Sequence, residues 1–92
     1  MFKLVVAAAS LTVMVAASAH ADGAAGSACA AKLPPDGQAI YAATMAAKPT
    51  AQNQREVLER ETKNLAFHNK IARSSARDNA VAAEPCILTA LQ

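Results

Sequence analysis

The clearest alternation of apolar and polar positions in the chain runs from Thr50 to Arg73, with no glycine or proline to interrupt it. Advancing about 100° per residue from Val57 places Val57, Leu58, Leu65, Phe67, Ile71 and Ala72 on one half of a helical wheel. Arg55, Glu59, Lys63, Lys70 and Arg73 fall on the other half. The pattern predicts a long central helix over about 50–73, with Thr50 or Asn53 as its cap. Along its wet face Arg55–Glu59, Glu56–Arg60 and Glu59–Lys63 stand four residues apart, the spacing at which opposite charges meet on a helix.

Two shorter patterns flank it. Leu33-Pro34-Pro35-Asp36-Gly37 has helix-start chemistry, because proline fits the first turn and an acid there meets the positive end of the helix dipole. The helix it opens, carrying Ile40, Tyr41 and Met45, is expected to run to about Ala47 and stop at Lys48-Pro49, since a residue before proline is pushed out of the α region. After a break at Ser74–Asp78, with Ser75 as its cap, a third helix is expected from Ala76 to about Leu91. In it Pro85 either makes a kink or opens a final turn. The fold class read from these elements is all-α, a helical hairpin or three-helix arrangement built around the central helix.

The N-terminus has a different pattern. One lysine, Lys3, precedes the uncharged and mostly apolar run Leu4–Ala17, and Ser18-Ala19-His20-Ala21 then offers the Ala-x-Ala geometry that a signal peptidase accepts. Residues 1–21 therefore read as a signal peptide cleaved after Ala21, which sends the protein to the periplasm or out of the cell. A permanent anchor needs about 20 apolar residues, and this run is interrupted at Ser10, Thr12, Ser18 and His20. Asp22–Ala28 is small and glycine-containing, with nothing to pack. Residues 22–32 are accordingly expected to form a flexible segment carrying Cys29, followed by a helical domain over 33–92.

Composition changes the picture once the signal is set aside. The whole chain is 53% hydrophobic, but alanine supplies 25 of those 49 positions. From Asp22 to Gln92 only 13 large apolar side chains remain: five Leu, three Ile, two Val, Met45, Phe67 and Tyr41. So thin a core requires a staple or a partner. The two cysteines, Cys29 and Cys86, stand near opposite ends of the mature segment, and an exported chain oxidises them, so a Cys29–Cys86 disulfide is predicted. Closing 58 residues is worth about 4 kcal/mol in chain entropy. No Cys-x-x-Cys redox pair, haem signature or short-spaced zinc ligand set is present, so no cofactor is expected.

Mature charge is close to balanced, eight Lys and Arg against seven Asp and Glu, which gives no basic footprint for nucleic acid. The mixed signs on the central helix also exclude a membrane-surface helix, so no membrane contact is expected after signal cleavage. Tyr41 and Phe67, the only mature aromatics, are expected to anchor the core. The unusual feature is Glu61, Asn64 and His68, which the wheel places within the apolar half, as a candidate polar cluster on one helix face. Buried there they must satisfy one another or neighbouring backbone. A partner interface or a pH response through His68 are the functional readings, histidine being the side chain whose charge changes near neutrality. No nucleophile stands beside the cluster, so catalysis is not expected.

The expectation is thus a small exported helical protein without enzymatic activity that acts through protein contacts, with the partner unspecified and self-association open. In size, export and a single long-range disulfide it is similar in format to the small acid-stress chaperones of the periplasm. That similarity implies an alternative, a holdase that exposes apolar helix faces on acidification. A second alternative is weak metal binding through His68.

Overall fold

The computed structural model describes residues 21–92, and the signal peptide expected over 1–21 lies outside that span but for Ala21. The described residues form four α-helices and no strand: α1 (Ala21–Ala30), α2 (Pro35–Ala46), α3 (Gln54–Phe67) and α4 (Ala76–Ala90), with a 3-10 turn at Arg73–Ser75 leading into α4. Cys29 and Cys86 are joined in a disulfide, as predicted, with their Cα atoms 5.3 Å apart.

Each helix follows from local chemistry. Proline at the first position of α2 gives up an N–H that has no helical partner in any case, and Asp36 supplies the acid of the first turn. The side chain of Asp36 also reaches across the fold: its Oδ2 accepts the backbone N–H of Ala72 at 3.0 Å. Before α3, Thr50 and Asn53 bond to each other. Asn53 Oδ1 accepts the Thr50 N–H at 2.7 Å and Thr50 Oγ1 accepts the Asn53 N–H at 3.2 Å, a reciprocal pair that closes the turn leading into the helix, while Asn53 as N-cap makes no side-chain cap bond to α3.

The central helix is shorter than expected, ending at Phe67 and not near Arg73. Asn69 takes the left-handed conformation, φ 57°, and the chain closes on itself with Lys70 N–H donating to the Leu65 carbonyl at 2.8 Å and Asn69 N–H to that of Ala66 at 3.1 Å. This paired pattern is a Schellman stop, and asparagine adopts the required conformation at low cost. Ile71, beyond the stop, is buried at the core from the following loop and not from the helix.

The core gathers Ile40, Leu58, Ile71, Ala76, Ala83 and Ile87, with Leu33, Tyr41, Met45, Leu65 and Leu91 packed round it. The helix at the centre is α4, which packs against α1, α2 and α3 alike; the expected role of the 50–73 helix as hub passes to it. The reason is side-chain size, since Ala76, Ala80, Ala83 and Ala90 on α4 let three neighbours approach closely. Pro85 sits inside α4 without ending it. It faces solvent, as does Val81, whose carbonyl receives no helical N–H from the proline ring.

Asp22–Ala28, expected as an unstructured tail, is helical. The expectation rested on the lack of packing side chains, and here the smallness is what allows packing. A Cβ at Gly26 would stand 2.4 Å from Ala90 Cβ and 2.6 Å from Tyr41 Oη, so α1 crosses the end of α4 at a distance only glycine permits.

Candidate functional site

The three residues singled out on the wheel do not form an interior cluster. Asn64 and His68 are exposed and Glu61 is half-buried. Glu61 pairs with Arg60 on its own helix, Oε2 to Nε at 3.3 Å. His68 Nδ1 donates to the backbone carbonyl of Asn64 at 2.9 Å, not to the side chain of Asn64 or Glu61. The buried positions of α3 are Gln54, Val57, Leu58 and Thr62, continued by half-buried Leu65. Their spacing of three and four centres the inward face near Leu58 and Leu65. The helical wheel leans toward Phe67 and Ile71, yet Ile71 lies beyond the helix and Phe67 is 73% exposed.

Phe67 is the main correction to the expected core, whereas Tyr41 packs against it as expected. The phenyl ring stands edge-on to His68, with centroids 5.3 Å apart and planes at 87°. This arrangement is one of the favourable geometries for neighbouring rings. His68 is itself fixed by its bond to Asn64 and by the Schellman stop that follows, so the pair is presented from a rigid helix end. Phe67 also borders a shallow open depression of about 540 Å³, lined among the described residues by Arg60, Glu61, Lys63, Asn64 and Phe67.

Cations outnumber acids at this end of α3, though the Asp36 carboxylate also reaches it, at the Ala72 N–H. Between Arg60 and Arg73 the sequence holds four Lys and Arg and one acid, and that acid is paired to Arg60. Arg73 turns its Nε back to the Ala66 carbonyl at 3.2 Å, closing the helix end, while Lys63 and Lys70 are exposed. The expected i,i+4 ion pairs of α3 are not among those formed by the described residues, which are Arg60–Glu61 and Arg55–Glu84.

A second polar assembly, which sequence reasoning missed, ties α3 to α4. Glu84 Oε2 accepts from Gln54 Nε2 at 2.9 Å and from Arg55 Nε at 3.2 Å. Gln54 is buried, so this contact fixes the start of α3. A polar residue at each end of a 30-residue separation carries no local signal.

Chemically the Phe67 end offers an aromatic face, cationic groups and an exposed imidazole. The described residues include no group of three His, Cys, Asp or Glu placed to hold a metal. Among them no helix is long and apolar enough to cross a membrane. No protein-family model matches this chain, and neither a curated protein nor a solved structure is detectably similar to it.

Proposed function

We propose that the chain is exported, is trimmed after Ala21, and works as a non-catalytic binding module that offers the outer face of α3 to a protein partner, with Phe67 as the anchor. The observation that carries this reading is the 73% exposure of Phe67 in a chain with only 13 large apolar mature side chains. Aromatic residues with arginine nearby are the side chains over-represented where binding energy concentrates. The surrounding Arg60, Lys63 and Lys70 suit a partner surface that offers carboxylates round an apolar pocket. The disulfide is in keeping with an oxidising compartment.

The test places a photo-crosslinking phenylalanine analogue at position 67 of the exported protein and identifies the adduct formed in its own cell envelope. The Phe67→Ala protein, measured against that partner, is expected to bind at least about 30-fold more weakly, the loss typical of a hot spot. Equal affinity of the two proteins would sink the reading. Suppression of client aggregation on acidification, undiminished in Phe67→Ala, would favour the holdase instead. A zinc- or copper-dependent rise in melting temperature that His68→Ala abolishes would favour metal binding.

A further inference from the structure

Apart from buried Ala30, the core and the side chains packed round it all lie between Leu33 and Leu91. From Gly23 to Ala30 no side chain of α1 is larger than that of a cysteine. Helix α1 rests chiefly on α4, with little contact to α2. It is held there by the burial of Ala30, by the close crossing at Gly26 against Ala90 and Tyr41, and by the covalent bond from Cys29 to Cys86. Each of these small groups removes little apolar area from water when buried, so the bond contributes strongly to the holding.

The connection to α2 is built as a fixed hinge. Gln38 Nε2 donates to the carbonyls of Ala31 at 3.2 Å and Leu33 at 2.9 Å, which ties the linker to the first turn of α2. The two cysteines also differ in exposure, since Cys86 is only 2% exposed and Cys29 is half-buried.

We propose that the Cys29–Cys86 disulfide is an exchangeable latch, opened by a dithiol reductant that attacks Cys29, and that opening releases α1 from α4 while α2, α3 and α4 stay folded. In the first step the reductant's thiolate bonds to Cys29 Sγ and the Cys29–Cys86 bond breaks; Cys86 leaves with the electron pair and takes up a proton. The reductant's second thiolate then attacks its own sulfur in the mixed disulfide. Cys29 departs as a thiolate and is protonated, the reductant ends as a disulfide, and the protein has gained two electrons and two protons. Release uncovers the side of α4 and α2 marked by Cys86, Ala90 and Tyr41. Local opening of one element while the rest stays protected is ordinary behaviour for a unit with few buried apolar contacts.

Hydrogen exchange read by mass spectrometry tests the latch on the exported protein, oxidised and after reduction with dithiothreitol. Amides of residues 23–30 should exchange at least tenfold faster on reduction and lose their protection, while amides of α2, α3 and the part of α4 before Cys86, weakened by loss of the cross-link, stay measurably protected. Loss of protection throughout, or an α1 that stays protected, would overturn the proposal. Gly26→Ala with the disulfide intact checks the packing half separately, and faster exchange confined to α1 is expected. Unchanged protection in that variant would count against it. Brief treatment with a monothiol, followed by alkylation and peptide mapping, should find the adduct on Cys29; an adduct chiefly on Cys86 would overturn the stated direction of attack.

Discussion

Thr44 is fully buried on α2, yet its Oγ1 has no hydrogen-bond partner among the described residues. A hydroxyl taken from water without compensation costs free energy, and valine has nearly the same shape without it. Thr44→Val should therefore raise the free energy of unfolding by about 1 kcal/mol, measured by chemical denaturation. Thr62, also buried, shows the satisfied alternative, since its Oγ1 donates to the Leu58 carbonyl at 2.7 Å. Neither threonine stands out in the sequence, because a threonine within a helical pattern reads the same whether its hydroxyl is paired or not. Asn69 was more legible in principle. An asparagine after the last periodic residue is a known helix stop, and reading the wheel only that far would have centred it on Leu58 and Leu65.

Among the helices, α3 and α4 are clamped at one end by Glu84. Its two partners are unequal: Gln54 is buried, whereas the Arg55 side chain is 72% exposed. Glu84→Ala leaves Gln54 Nε2 buried and unpaired and should cost about 1–3 kcal/mol. Arg55→Ala removes only an exposed ion pair and should cost less than about 0.5 kcal/mol. Urea midpoints of the two variants distinguish them, and equal losses would show that the ion pair and not the amide bond is the clamp. The same contrast explains why the i,i+4 pairs expected on α3 carried little predictive weight: an exposed Arg55 chooses between Glu59 on its own helix and Glu84 on the next, and the energies separating the choices are small.

For the molecule as a whole, the scarcity of large side chains decides where truncation matters. Ile87 is wholly buried in the core cluster, while Phe67 points outward from α3. Ile87→Ala should cost about 2–5 kcal/mol, enough to abolish the cooperative thermal transition in so small a domain. Phe67→Ala, removing a larger side chain, should change stability by less than about 0.5 kcal/mol. Circular dichroism melts of both proteins check this, and a Phe67→Ala protein that is strongly destabilised would return Phe67 to the core. Stability with unaltered folding is also what makes Phe67→Ala an informative probe of binding.

By itself the sequence determined the helical class, the start and end of α2 and α4 to within a residue or two, and the Cys29–Cys86 pairing. These follow from local rules: proline at a helix start, a residue held out of the α region before Pro49, and two cysteines with no other partner. Tertiary structure decided which face of α3 is buried, that α4 and not α3 is the hub, that Gly23–Ala30 is a docked helix, and that Phe67 lies outside. Those outcomes depend on how closely two backbones approach. Alanine and glycine set that distance, and their small side chains leave almost no trace in a pattern of hydrophobic and polar positions.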